Sequence, residues 1–159
     1  MKIEEILDSI GDKLYNYLTI KLGSPLDAED VLQEVFCRLV RYKVRFRIIR
    51  NPSAYIFRIA RNEALSFLKH RKKNLRSYHS VEGLSKVIQE NLRGLDHEIL
   101  HHTAEALAKI PVDQREVIVL KFFEGLTFRE ISNVCNVSIG TITSRYRYGM
   151  EKLRKLLED

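Results

Sequence analysis

Polar side chains between residues 138 and 148 are the part of the sequence best suited to contact a nucleic acid. Their hydroxyl and guanidinium groups can donate to base edges in the major groove of DNA and to phosphate oxygens. Their spacing places them on the outward and oblique surfaces of one helix, predicted over Ile139–Leu157. We predict that the contacts come from Ser138, Thr141, Thr143, Ser144, Arg145, Arg147 and Tyr148.

A basic block in the middle of the chain is a second candidate for DNA contact. Residues 41–76 hold twelve Lys and Arg against one acidic residue, residues 1–40 hold four against eight, and residues 77–159 hold eleven against twelve. The net charge of +6 therefore resides in one segment, which suits a phosphate backbone. The acidic segment before it indicates a second partner with a basic surface.

Groups that would perform catalysis or hold a metal are not clustered in the sequence. Cys37 and Cys135 lie far apart and are expected to be buried thiols rather than zinc ligands or a disulfide. No carboxylate pair or activated nucleophile converges, so we predict no enzymatic activity, no metal and no cofactor. The histidines predicted to be surface residues are His70, His79, His97, His101 and His102.

The chain also lacks a recognisable membrane segment. Its longest apolar stretch, residues 117–123, is interrupted by Lys121 and is too short to span a bilayer. The first residues do not follow the pattern of a signal peptide. We therefore expect a cytoplasmic protein with no direct membrane insertion.

Recognisable capping and turn residues precede the helix predicted over Ile139–Leu157 and should fix its position. Thr127 and Glu130 fit a capping box, Asn136 suits a tight turn with a positive φ, and Ser138 can cap the helix that follows. This succession predicts a helix-turn-helix. The segments predicted as helices before it are His97–Ile110 and Asp113–Glu124, the second ended by Gly125.

Helical periods also dominate the first 41 residues. Apolar residues at three- and four-residue steps predict one helix over Ile3–Leu22, or two helices broken near Gly11. Asp27 is expected to cap the next helix, with Leu26 and Val31 as a hydrophobic staple. The apolar face of this helix is predicted to contain Ala28, Val31, Leu32, Val35, Phe36, Leu39 and Val40.

A long helix is predicted after residue 51. Asn51 can cap it, and Pro52 suits its first position because proline lacks the amide hydrogen that would be left unpaired there. It should run into the basic cluster at residues 69–73. The residues predicted to form its buried stripe are Ile56, Ile59, Ala60, Ala64, Phe67 and Leu68.

These patterns predict an all-α protein made of two small helical domains. Residues 1–73 form the predicted helical bundle, and residues 97–159 form the predicted helix-turn-helix domain. Residues 74–96 lack a continuous apolar stripe and contain Gly83 and Gly94, which predicts a flexible linker, at most with a weak helix over residues 81–92.

Two groups of motifs resemble, in the same order, the extracytoplasmic-function (group 4) sigma factors of bacterial RNA polymerase. The C-terminal group resembles their region 4, and the N-terminal group resembles their region 2. The region 4 motifs are Ile110-Pro111, Gln114-Arg115-Glu116-Val117, Phe123-Glu124-Gly125-Leu126-Thr127, Glu130-Ile131 and Gly140-Thr141-Ile142-Thr143-Ser144-Arg145. The region 2 motifs are Asp27–Phe36, like the polymerase-binding helix, and Ile59–Ala64, like the promoter-melting helix.

The resemblance implies a sigma factor that directs promoter-specific initiation. Region 2 would dock on the clamp helices of the largest polymerase subunit through Asp30, Gln33 and Glu34. The loop over residues 43–55 would capture an unpaired base, with Tyr55 or Phe57 as a stacking surface. The residues implied in contacts to the minus-ten DNA are Tyr55, Arg58, Arg61, Asn62, Lys69 and Lys72.

The resemblance also implies the partners of the second domain. The helix predicted over Ile139–Leu157 would recognise the minus-thirty-five element. The rest of region 4 would bind the flap of the second-largest polymerase subunit. Free sigma factors of this group are commonly held inactive by an anti-sigma factor, which makes such a protein an expected partner here.

Other interpretations remain open from the residues alone. A stand-alone transcriptional regulator can carry a similar helix-turn-helix, but it would need a ligand pocket, a phosphoacceptor or a dimerisation surface in residues 1–75, where the sequence instead resembles a basic promoter-melting helix. A small nucleic-acid enzyme would need catalytic residues brought together by the fold. The acidic helix start could be a solvated helix end, and Tyr55 and Phe57 could belong to the core.

Overall fold

The computed structural model describes residues 3–42, 48–71, 84–85, 88–89, 94 and 96–158, and all regular secondary structure within these ranges is helical. The predicted all-α class is confirmed. Residues 1–78, together with 133–135, form one compact unit, and the remaining residues form a second. None of the helices in the described ranges combines the length and apolar character needed to cross a bilayer.

Three mutually packed helices build the first unit: α1 (Ile3–Leu22), α2 (Pro25–Arg41) and α3 (Pro52–His70). Helix α1 is continuous through Gly11, so a single helix forms rather than two. Each helix turns an apolar stripe toward the others, as expected for amphipathic helices in a bundle. The fully buried side chains include Leu14, Tyr17, Leu18, Val35, Leu39, Ile56 and Phe57.

The start of α2 differs from the predicted one. Ser24 is the N-cap, its hydroxyl accepts a hydrogen bond from the Asp27 amide at 3.3 Å, and Pro25 takes the first helical position. Asp27 therefore lies in the first turn and is not the cap. The predicted staple is also wrong, because the side chain of Leu26 is 74% exposed.

The buried face of α2 is narrower than predicted. Only Ala28, Val31, Val35 and Leu39 are buried, whereas Val40 is exposed. Val40 lies one residue after Leu39, so it points about 100° further round the helix. The four buried residues suffice to pack α2 against its two neighbours.

Helix α3 begins as predicted. Asn51 Oδ1 accepts a hydrogen bond from the Ala54 amide at 3.2 Å, and Pro52 occupies the first helical position. The predicted stripe is buried at Ile56, Ala60 and Ala64. Its other members, Ile59, Phe67 and Leu68, are half-buried.

Two ion pairs join α3 to α2. Arg38 and Glu63 meet at 2.8 Å, and Arg71, just after α3, donates to Asp27 at 2.6 Å. Each pair includes one carboxylate that is largely shielded from solvent. They reinforce a contact that is made chiefly by apolar packing.

The second unit contains α4 (His97–Ala108), α5 (Val112–Ile118), α6 (Phe128–Cys135) except for its last three residues, and α7 (Ile139–Glu158). Helix α5 continues into a π-helical turn over Val119–Phe123, closed by a bond from the Glu124 amide to the Val119 carbonyl. Gly125 follows with a φ of 71°, the left-handed conformation predicted for it.

The predicted helix-turn-helix is present in α6 and α7. Thr127 and Glu130 form a complete capping box, in which each side chain accepts from the other residue's amide at 3.1 Å. Asn136 has a φ of 55° and reverses the chain. The Ser138 hydroxyl then accepts from the Thr141 amide at 3.2 Å and caps α7.

Helix α7 approaches α5 closely at Gly149. A Cβ atom at this position would lie 2.9 Å from Ile118 Cδ1 and 3.2 Å from Gln114 Cβ. Only glycine fits this spacing without displacing a neighbour. Ile142 and Leu153 are buried on the same side of α7, whereas Met150 is half-exposed.

Most of the segment predicted as a linker, residues 74–96, lies outside the described ranges. Its described residues Leu84, Ser85, Ile88 and Gln89 are helical, within the weak helix predicted for residues 81–92. Leu84 and Ile88 are buried, so at least these two apolar side chains are packed.

Candidate nucleic-acid interface

The exposed side of α7 is the first candidate surface. Ser138, Arg147 and Tyr148 are exposed, and the Arg147 guanidinium lies 5.1 Å from the centre of the Tyr148 ring. Thr141, Thr143 and Ser144 are half-buried around the first turns of the helix. The predicted group is thus distributed over an outward face and its two flanks.

Arg145 occupies an oblique position, between the outward face and the buried face of α7. Its guanidinium lies 3.8 Å from the Asp113 carboxylate at the start of α5, and its side chain is 27% exposed. This ion pair, which the sequence did not reveal, directs the guanidinium along the flank of α7. Arg145 therefore presents a different donor geometry from Arg147.

Aromatic contacts hold α6 against α7. The rings of Phe128 and Tyr146 meet edge to face at 5.3 Å, and the Lys121 ammonium lies 4.6 Å from the centre of the Phe128 ring. An aromatic pair of this kind contributes about 0.5–1.5 kcal/mol beyond the area that it buries. They fix the angle at which α6 presents α7.

A buried arginine supports the connection into α5. Arg115 is 4% exposed, and its Nη2 donates to the Ile110 carbonyl at 3.0 Å. Burial lowers the pKa of its guanidinium, because desolvation disfavours the charged form. The bond ties α5 to the chain that leaves α4.

The second candidate surface is the solvent side of α3. Arg58, Asn62 and Lys69 are exposed, and Arg61 is half-buried beside them. Positions 58, 62, 65 and 69 follow one another at four-, three- and four-residue steps, which form one stripe along a helix. Lys72, predicted to continue it, lies outside the described residues.

The two candidate stacking residues have different environments. Phe57 is 1% exposed and packs edge to face on Tyr17 at 5.6 Å, so its interpretation as a base platform is wrong. Tyr55 is half-buried and lies in the first turn of α3 rather than in a loop. Residues 43–47 of the predicted base-capturing loop lie outside the described ranges.

The third candidate surface is the outward side of α2. Asp30, Gln33 and Glu34 are all exposed and are opposite the buried residues of the helix. Cys37 continues this side and is exposed, so its predicted burial is wrong, whereas Cys135 is buried as expected. The same helical period that buries Val35 turns Cys37 toward solvent.

Sequence reasoning missed Leu65 and Asp113. Leu65 is 39% exposed within the α3 stripe, and its place as the third position of the series 58, 62, 65 and 69 could have revealed it. No sequence signal links Asp113 to Arg145, because the contact depends on how α5 packs against α7. In the described part of the chain, no three His, Cys, Asp or Glu residues are placed to hold a metal ion.

A helical unit with a basic α3 surface and a second unit with a helix-turn-helix define a DNA-binding transcription factor with several separate contact surfaces. Comparison with known families agrees: the family model for sigma-70 region 2 matches residues 6–74, and the model for sigma-70 region 4 matches residues 106–155. The chain is 31% identical to the ECF RNA polymerase sigma factor SigW of Bacillus subtilis (strain 168), over 98% of this chain and 88% of the relative.

Other relatives give the same result. The RNA polymerase sigma factor CarQ of Myxococcus xanthus is 32% identical, over 97% of this chain and 88% of its own. The structure of the sigma factor RpoE in complex with the anti-sigma factor NepR from Bartonella quintana matches 98% of this chain and 96% of that one, with a TM-score of 0.76 and 26% identity. The chain belongs to the extracytoplasmic-function sigma factors.

Membership of this family establishes the activity. The protein binds core RNA polymerase and promoter DNA, directs promoter-specific initiation of transcription, and is not an enzyme. A stand-alone regulator is not favoured, because region 2 matches as well as the helix-turn-helix.

Proposed function

We propose that the three exposed surfaces divide the work of initiation. The solvent side of α3 contacts minus-ten DNA, the exposed start of α7 contacts the minus-thirty-five element, and the outward side of α2 docks on the clamp helices of the largest polymerase subunit. The observation that supports this division is that each surface carries several exposed polar side chains on a helix whose opposite side is buried.

Charge supports the assignment of α2 and α3. The acidic carboxylates of Asp30 and Glu34 suit a basic protein surface, and the cations of Arg58 and Lys69 suit phosphates. On α3 the contacts also include Tyr55, Arg61, Asn62 and Lys72. On α7 they come from Ser138, Thr141, Thr143, Ser144, Arg145, Arg147 and Tyr148.

The proposal extends to the domains and to further partners. The domains are residues 1–73 and 97–159, with 74–96 as a flexible linker, and the rest of region 4 binds the flap of the second-largest subunit. The matched sigma factor RpoE was solved in complex with the anti-sigma factor NepR. By analogy, an anti-sigma factor restrains this chain in the cytoplasm.

The primary experiment is run-off transcription with a bacterial core polymerase on a promoter library, with and without the chain. We expect promoter-specific transcripts only when the chain is present. A Glu34→Lys variant should lose co-migration with core polymerase, because it places a cation against a basic surface. Glu158→Lys, an equally large charge change at the exposed end of α7, is the matched control and should bind normally.

The DNA contacts are separated by footprinting and salt dependence. Arg58→Ala with Arg61→Ala should weaken open-complex formation and lower the salt slope by about one for each lost phosphate contact. Arg147→Ala should mainly weaken upstream protection. Arg154→Ala, two turns further along the exposed side of α7, should do neither, and identical footprints for the two DNA-contact variants would contradict the division.

A further inference from the structure

The exposed stripe of α3 contains one apolar side chain between polar ones. Arg58, Asn62, Leu65 and Lys69 succeed one another along the helix, and Leu65 is 39% exposed. The helical period turns Leu65 away from the side of α3 on which Ala60 and Ala64 are buried. Neighbouring groups therefore cover part of Leu65, and the rest of its aliphatic surface is open to a ligand.

The neighbours of Leu65 limit what it can contact. Arg58 and Lys69 lie about 16 Å apart along the axis, at 1.5 Å per residue, which is several nucleotides of backbone. With cations at both ends of the stripe on phosphates, the two central side chains, Asn62 and Leu65, face the bases between them. Asn62 can form hydrogen bonds with a base, and Leu65 cannot.

An aliphatic side chain has one base-specific partner on DNA. The 5-methyl group of thymine is the apolar group that distinguishes the base edges, and leucine offers no hydrogen bond to any other edge. We propose that Leu65 is a specificity-determining residue that contacts the methyl group of one thymine in the minus-ten element. This inference rests on the proposed assignment of α3 to minus-ten DNA.

The test removes the methyl group and the side chain separately. Each thymine of the minus-ten element in a promoter transcribed by the chain is replaced singly by deoxyuridine, which lacks only the methyl group, and open-complex formation is measured. At one position the substitution should lower open-complex formation about fourfold, the ratio expected for one buried methyl-sized group. Deoxyuridine also weakens stacking in the duplex, and easier melting would raise the rate of open-complex formation. A lower rate therefore cannot be explained by the change in duplex stability.

The variants complete a double-mutant cycle. Leu65→Ala should lose about fourfold on the thymine promoter, as one methyl contact predicts, and nothing further on the deoxyuridine promoter. Leu65→Met, which keeps an aliphatic side chain, should restore most of the activity. Leu157→Ala is the matched control, since Leu157 is 38% exposed near the end of α7, and it should behave as the unaltered chain on both promoters.

Three results would overturn the inference in distinguishable ways. If the unaltered chain transcribes the promoter but tolerates deoxyuridine at every position, Leu65 does not contact a thymine methyl group. If Leu65→Ala is equally defective on both promoters, the leucine acts by another route. If the unaltered chain yields no promoter-specific transcript at all, the proposed function fails first and the inference fails with it.

Discussion

Replacing Gly149 by alanine should destabilise the second unit, although alanine is the better helix former. The new Cβ would lie 2.9 Å from Ile118 Cδ1 and 3.2 Å from Gln114 Cβ, both tighter than ordinary van der Waals contact. Ile118 is only 2% exposed, so its side chain has little space into which it can move. Helix α7 or α5 must shift instead.

Two opposing terms set the magnitude. Alanine in place of glycine inside a helix contributes about 1 kcal/mol of stability. Extra carbon in a well-packed contact costs about 1–3 kcal/mol. We expect a net loss of about 1 kcal/mol, which lowers the Tm of a domain of this size by about 4–8 °C.

Two glycines elsewhere in the helices provide the controls. At Gly140, also in α7, the nearest atom to a new Cβ is Ser138 Oγ at 3.9 Å, and at Gly11 in α1 it is Phe36 Cζ at 3.9 Å. Neither distance is strained, so each alanine should raise stability by about 0.5–1 kcal/mol. Alanine should therefore raise the free energy of unfolding at Gly140 and lower it at Gly149, although both glycines lie in α7.

The assay is thermal unfolding of the full chain followed by circular dichroism, with amide hydrogen exchange of α7 to isolate the second unit. Separate transitions for the two units would make a single Tm ambiguous, and exchange at α7 avoids this. A Gly149→Ala chain as stable as the unaltered protein would refute the reasoning. So would a shift of the same sign for Gly140→Ala and Gly149→Ala.

Substitutions at four further positions test the turn, the cap, the core and the surface of α3. Asn136→Ala should cost about 1 kcal/mol because alanine tolerates the left-handed conformation poorly, whereas Asn136→Gly should be neutral or stabilising; urea denaturation distinguishes them. Thr127→Ala removes half of the capping box and should cost about 1 kcal/mol, with faster amide exchange confined to the start of α6. Phe57→Ala should cost about 3–5 kcal/mol in urea denaturation. Tyr55→Ala should instead lower promoter opening with little change in the urea midpoint, and equal destabilisation by both would refute the assignment of Phe57 to the core and Tyr55 to the surface.

Local signals in the sequence predicted the ends of several helices correctly. The caps at Asn51 and Thr127 and the turn at Asn136 depend on side chains that bond within three residues, so the sequence contains all of their chemistry. The predicted cap of α2 is wrong because Ser24 and Asp27 are both residue types that cap helices, and both precede Glu29 and Asp30. Pro25, which favours the first helical position, was the signal that distinguishes them.

Contacts between helices were less accessible to sequence reasoning. Phe57 and Tyr55 are two residues apart and chemically similar, but a step of two residues turns a helix by about 200°, so Phe57 packs on Tyr17 in the core while Tyr55 is only half-buried. The ion pair of Arg145 with Asp113 depends on the packing of α5 against α7. For Cys37 the sequence did contain the correct signal. The helical period of α2 places Cys37 on the exposed side, and the prediction of burial was wrong because it relied on the residue type alone.

The polar members of the α3 stripe, Arg58, Asn62 and Lys69, are exposed and lie outside the apolar interior of the bundle, and this separation has an evolutionary consequence. They can be exchanged without repacking Ala60, Ala64 or their neighbours. Under the proposed contact of α3 with minus-ten DNA, copies of such a chain would acquire new promoter preferences after gene duplication while they inherit an unchanged scaffold. A bacterium can in this way assign distinct sets of genes to paralogues that fold identically.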